Sequence, residues 1–279
     1  MTTVSASQRP AAFAMWLTLA AAGGSAVAPS NASPGVDVEP PDELGHAAPV
    51  PEQKRTSSFT LGAGVSARPH FQGSDGYQGE PVPLIDIEVG RFFAKSGEGI
   101  GFDVVETPAF RAGIAVNWMQ GYDEDEAPDG LKEVKDALGA RLFASVRFKG
   151  TVATLAGTKA VTESERGLLI NASLAHPFAL TRRLTVVPSL GVSWADEDYM
   201  VGYFDVDASE AATSRFARYT PEASMRDVSF RLSARYLVTD KVSFVALAGV
   251  THLLGDAADS PFVERQTQPL GFIGLTYTF

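Results

Sequence analysis

The chain has 279 residues, 45% of them hydrophobic, with a formal charge of −10 and no cysteine. The acidic balance argues against a nucleic-acid partner, which would need clustered Lys and Arg; the missing cysteine excludes a disulfide framework, thiolate chemistry and lipoprotein acylation. Beyond the N-terminus no apolar run reaches about 18 residues, which excludes a helical membrane span, whereas a transmembrane barrel averages its lipid-facing and lumen-facing residues to just such a composition.

Arg9 is the only charged side chain before Asp37, and the apolar run at residues 11–22 follows it, then small residues at 23–28. This is the pattern of a secretory signal peptide, too short for a membrane anchor. The signal peptide is expected to span residues 1–28. The Ala26-Val27-Ala28 site is disfavoured by Pro29, so that Ala26 and Ala32 compete as cleavage points; a buried N-terminal helix is the alternative reading. Residues 29–56 carry Pro29, Pro34, Pro40, Pro41, Pro49 and Pro51 among small and acidic residues, with no helical or strand period. They read as a disordered or polyproline-like periplasmic linker, passive or a tether for a partner.

From residue 57 onward the chain alternates with period 2, the mark of strands with two unlike faces. Phe59, Leu61, Ala63, Val65 and Ala67 form one apolar face, Phe110, Ala112, Ile114, Val116 and Trp118 another, and Leu138 to Phe148 a third. Strands are expected at 58–67, 83–89, 92–95, 99–106, 110–119, 138–148, 151–158, 167–175, 184–194, 227–238, 241–251 and 270–279. Most have the 8–11 residues a tilted strand needs to cross the hydrocarbon layer. The split at Ser96-Gly97-Glu98 is imposed by parity, because bacterial barrels have an even strand number with both ends in the periplasm. Short and long connections alternate along the chain, so the expected fold is all-β: a single up-and-down antiparallel transmembrane β-barrel of about 12 strands at 57–279. A soluble β-sandwich could bury the same alternating face, but it does not account for the terminus. There Gly271, Ile273, Leu275, Tyr277 and Phe279 alternate up to a final aromatic; Tyr277 and Phe279 are the candidate signal for the barrel-assembly machinery.

Alternation directs Asp86, Glu88, Asp103, Arg111, Arg141, Arg147, Arg231 and Arg235 to the lumen, since a charge facing lipid at mid-depth costs about 2–4 kcal/mol. Two readings follow: mutual neutralisation that fixes the interior, or a narrow anion-preferring pore lined by arginines. The acidic loop Asp123-Glu124-Asp125-Glu126 with Asp129 is not an EF-hand and reads as a solvated loop, able at most to meet lipopolysaccharide-bridging cations. His252, Asp256, Asp259 and Ser260, with Ser74 and Asp75, hold the types of a hydrolase triad, but Ser260-Pro261 lacks a nucleophile elbow and Asp-Ser-Pro is turn chemistry. The histidines are isolated. No catalytic, cofactor or metal residues are assigned. Trp118, Trp194, Tyr199, Tyr203, Tyr236, Tyr277 and Phe279 fall near strand ends and are expected in the aromatic girdles that meet lipid headgroups.

Several stretches resemble the MltA-interacting protein (MipA/OmpV) family: Leu61 to Val65 followed by Phe71-Gln72-Gly73-Ser74-Asp75, Pro81-Val82-Pro83 before the second strand, Trp194-Ala195-Asp196 with Tyr199, and the stretch from Tyr203 to Tyr219 with Ser209, Ala211, Ala212 and Ser214, which matches a short helical turn. The late loop with Gly255, Asp256, Asp259, Ser260 and Pro261 resembles the family's most recognisable motif. The resemblance implies the bacterial outer membrane and contact with its lipid and lipopolysaccharide. It also implies a non-enzymatic scaffold between a murein transglycosylase and a murein synthase, other members being described as osmotically regulated or as adhesins. It supplies no catalytic residue. An envelope hydrolase is the remaining alternative.

Overall fold

The computed structural model describes residues 57–123, 126–163 and 166–279. The expected signal peptide at 1–28 and linker at 29–56 lie outside the described residues, as do Glu124 and Asp125 of the acidic loop. The strands are β1 (Ser58–Pro69), β2 (Tyr77–Val89), β3 (Phe92–Lys95), β4 (Gly99–Glu106), β5 (Phe110–Met119), β6 (Ala137–Phe148), β7 (Thr151–Ala160), β8 (Leu168–Ala175), β9 (Phe178–Ala179), β10 (Leu184–Ala195), β11 (Ser224–Leu237), β12 (Val242–Leu253) and β13 (Thr267–Thr278). Twelve close into one antiparallel barrel, while β9 is a two-residue stub at the foot of β10. Closure runs through β13 and β1, from Thr60↔Thr278 to Ala67↔Gly271.

Tight turns join the strands at one end. In the β6–β7 turn both Lys149 and Gly150 have positive φ (49° and 82°), as a two-residue hairpin whose twist matches the strands demands. The other end carries the long loops, with helices α1 (Glu197–Phe204), α2 (Ala208–Thr213) and α3 (Gly255–Asp259). Period 2 becomes a barrel with two unlike surfaces. Leu61, Val65, Ile114, Leu142, Leu155, Leu190, Ile273 and Leu275 are exposed on the outer face. So broad an apolar surface on a closed sheet is suited to hydrocarbon and not to water.

Three strands begin before the alternation does. β2 starts at Tyr77, β11 at Ser224 and β13 at Thr267, because their loop-end residues continue the backbone ladder without alternating between apolar and polar. Pro81-Val82-Pro83 therefore lies inside β2 and not before it, and the reason lies in the neighbouring hairpin. β3 pairs only with Asp86–Val89, so the wall drops to a notch and the rest of β2 has no strand on that side. Ile85, Pro83 and Pro81 point their backbone into this notch, as the Ser96 bonds at Ile85 and Pro83 reveal. Ser96 N–H donates to Ile85 O (2.8 Å), Ile85 N–H donates to Ser96 Oγ (2.9 Å), and that hydroxyl donates to Pro83 O (3.0 Å). Proline has no N–H to leave unpaired, which is why it is tolerated along a strand edge.

The closing seam is tight. Gly64 and Gly274 face each other beneath the Phe272 ring; a Cβ on Gly64 would stand 2.3 Å from Ile273 O and 2.4 Å from that ring, whereas one on Gly79 would meet nothing nearer than 3.8 Å. Gly64→Val is expected to cost about 1–3 kcal/mol by overpacking. Its heat-modifiable gel band should weaken after refolding, while Gly79→Ala keeps the wild-type band; an unchanged Gly64→Val barrel would contradict the seam.

Candidate functional site

The interior is built in three tiers. Nearest the turn end, the hairpin offset places Lys95 of β3 opposite Asp86 of β2. Its ammonium, almost wholly buried, lies 3.8 Å from Asp86 and 2.5 Å from Glu88. On β4 and β5, Arg111 Nε donates to Asp103 Oδ1 at 2.6 Å and Nη1 pairs with Glu98 at 3.3 Å. The guanidinium is sandwiched between the Phe93 and Phe143 rings, at 4.8 and 4.9 Å from their centroids. Such cation–π contacts compensate part of the water an arginine gives up on burial. Arg235 is buried on β11 and Arg147 half-buried on β6.

The middle tier is a cavity of about 290 Å³, lined by hydroxyls and amides that include Thr158, Asn171 and Ser189, and by Arg111, Arg141 and Arg231. It extends to Gly97 and Glu98 at the notch. The carboxylates on its wall are engaged, Glu98 by Arg111 and Asp227 by Arg226 and by the Ser193 hydroxyl at 3.2 Å. Arg231 Nη1 donates to Ser229 Oγ at 3.0 Å, and neither Arg231 nor Arg141 lies in an ion pair among the described residues.

The third tier is a lid across the loop end. Phe71, Met119, Tyr122, Leu253, Phe262 and the inner face of α1 (Tyr199, Met200, Tyr203, Phe204) form an apolar core there. Asp196 caps α1 by accepting from Tyr199 N (2.9 Å), and the same carboxylate accepts from Leu168 N (2.7 Å). Gly167, with φ +63°, makes that approach possible, because a Cβ there would sit 2.0 Å from Tyr199 N. Arg166 ties the rim together, donating to Met119 O (3.1 Å), Gln120 O (2.7 Å) and Lys135 O. Its guanidinium covers the Tyr203 ring, and Tyr203 OH itself donates to Gln120 O (2.7 Å). Asp207 begins α2 in a capping box with Glu210 and bonds Lys132 of the neighbouring loop, which holds its carboxyl well below the usual range.

Tyr199 and Tyr203 correct the expected girdle. They stack on each other at 4.4 Å inside the lid, 3% and 5% exposed, because α1 folds inward over the barrel mouth. Tyr236, Tyr277 and Phe279 are exposed at the turn end, in company with Phe92, Phe148 and Phe178, which the strand-end reading passed over. The Tyr277 and Phe279 rings meet edge-on at 4.9 Å. The late-loop residues are structural: Gly255 starts α3 with φ +49°, Asp256 accepts from Glu222 N (2.7 Å), and Ser260 Oγ donates to Phe204 O (2.8 Å). His252 Nδ1 is bonded to Thr267 Oγ1 (2.7 Å), so the serine and histidine weighed for hydrolysis each hold a different partner. Among the described residues no group of His, Asp and Glu could hold a metal ion. Lys95, Glu98, Arg166 and Arg226 escaped the sequence reading. For Lys95 the signal was its parity with Phe93 in a strand too short to display a period.

Two outcomes follow. Arg111→Met removes the guanidinium bonded to Asp103 and should cost about 3–5 kcal/mol, the scale for removing one partner of a buried ion pair; urea unfolding of the refolded protein measures it, and a loss under about 1 kcal/mol would deny the pair its role. In the lid, burial beside Asp256 and Asp259 pushes the Tyr219 hydroxyl up to about 12 from 10.0. The folded state thus keeps this proton where the unfolded chain releases it, so the lid loses stability as pH rises from about 10 towards about 12. Protease sensitivity of the lid should rise through that window, and Tyr219→Phe should remove the step.

The chain matches the family described as MltA-interacting protein MipA over residues 61–279. The MltA-interacting protein of Escherichia coli K12 is 28% identical over 230 residues, 79% of this chain and 90% of that protein. Outer membrane protein Omp26La of Vibrio anguillarum is 28% identical over 209 residues, 73% of this chain and 76% of that one. Among solved structures, an outer membrane channel of Pseudomonas putida F1 aligns at 12% identity with a TM-score of 0.44, covering 84% of this chain and 97% of the channel. With a closed twelve-stranded barrel and a family match that spans it, this chain is an outer-membrane protein that belongs to the MltA-interacting protein (MipA) family.

Proposed function

We propose that this barrel is a non-enzymatic interaction protein of the cell envelope that holds murein enzymes, a transglycosylase and a synthase, at the outer membrane. The observation that carries the reading is the family match along the whole barrel, together with a relative of matching length named for its interaction with MltA. The interior supports it: ion pairs fill the turn end and an aromatic lid covers the loop end, which suits a rigid platform better than an open pore. The outer apolar face would meet lipid and lipopolysaccharide, and Tyr277 with Phe279 would be read by the assembly machinery. In this reading residues 1–28 direct export and the Pro-rich 29–56 segment lies on the periplasmic side, where murein is.

Crosslinking in intact envelopes followed by purification of the full chain should recover a murein transglycosylase or synthase. Recovery of assembly and lipid components alone would refute the scaffold.

A further inference from the structure

We propose that the cavity beneath the lid is a binding site for a small hydroxylated oxyanion, a sugar acid or a sugar phosphate. The charge on its wall is not balanced. The two wall carboxylates are already engaged by Arg111 and Arg226, which leaves Arg141 and Arg231 as guanidiniums aimed into the cavity with no carboxylate partner among the described residues. Guanidinium forks match the paired oxygens of carboxylate and phosphate, and such charge-assisted bonds are stronger than bonds between neutral groups.

The neighbouring residues add the second half of the chemistry. Thr158 lies directly across from Arg141 and Ser189 directly across from Arg231 in the ladder, and both line the cavity with Asn171. These groups donate and accept, as sugar hydroxyls require. Gly191 leaves room beside them: a Cβ there would stand 2.8 Å from Ser229 Oγ and 3.9 Å from Arg231 Nη1. The space next to the guanidinium therefore depends on a missing side chain. A cavity of about 290 Å³ admits a single sugar ring with its charged group. This binding needs only the closed interior and does not depend on the scaffold reading.

Isothermal titration calorimetry of the full-chain protein in detergent tests it, with glucuronate and glucose 6-phosphate as ligands and glucose and inorganic phosphate as controls. One of the charged sugars should bind saturably and one-to-one, and which one does so identifies the source of the oxyanion. Arg141→Gln and Arg231→Gln should each weaken binding by roughly tenfold or more, the scale of a lost charge-assisted bond. Gly191→Val, which fills the space beside Arg231 without removing a charge, should weaken it too, and Arg147→Gln, outside the cavity, should not. Heat-modifiable mobility checks that every variant folds. No saturable binding by either charged sugar, inorganic phosphate binding as tightly as they do, or binding that survives both arginine changes overturns the proposal.

Discussion

Everything in this structure depends on one constraint: inside hydrocarbon no water exists to satisfy a backbone N–H or C=O, and each one left bare costs several kcal/mol. A sheet meets it by having no edge, so β13 must find β1, and glycines at the seam let the two backbones meet beneath Phe272. The notch over the β3–β4 hairpin is where the constraint is hardest to meet. There the chain uses two other devices, prolines that carry no donor and a serine whose backbone and hydroxyl replace the missing strand for Ile85 and Pro83. The short β3 and the Pro81-Val82-Pro83 sequence are thus two sides of one solution.

Closure also decides where charge goes. Lipid excludes it from the outer face, so the inner face must hold it in a space too narrow to hydrate every group. Near the turn end this produces Lys95 between two carboxylates, and Arg111 between two carboxylates and two aromatic rings. Pairing in register does not by itself make the barrel stable, since burying both partners is costly; it offsets the cost of holding charge in so narrow a space. The Arg141 and Arg231 tier departs from that rule, and the departure coincides with the cavity.

The wall was legible in the sequence because period 2 is imposed by geometry, and it survives any change of side chain that keeps the two faces unlike. Even the short β3 followed from parity. Alternation names inner charges from Asp86 to Arg231, but it carries no information about their partners. Lys95 meets Asp86 only through the offset of a tight hairpin, and Glu98 reaches Arg111 from a turn. Phe93, Phe143 and Phe272 were hidden for a related reason: they are apolar residues on the polar face, placed there to pack against a guanidinium and a seam. The lid was least legible. Tyr199 and Tyr203 have the composition of a girdle, and only the inward turn of α1 makes them core.

That inward turn follows from the cations beneath and beside it. A helix laid across a barrel mouth leaves rim carbonyls and tyrosine hydroxyls without solvent, and they need donors that reach them from below or from the side. Arg166 supplies three rim carbonyls, and Arg226, paired with Asp227 on the wall, donates to Tyr199 OH at 2.5 Å while lying under its ring. The same Asp227 accepts from Ser193 across the β10–β11 ladder, near the bulge at Ser193/Trp194. Lid and wall are therefore one hydrogen-bonded unit. The cavity lies directly beneath that unit, and Tyr199, Tyr203, Arg226 and Asp227 form part of its wall.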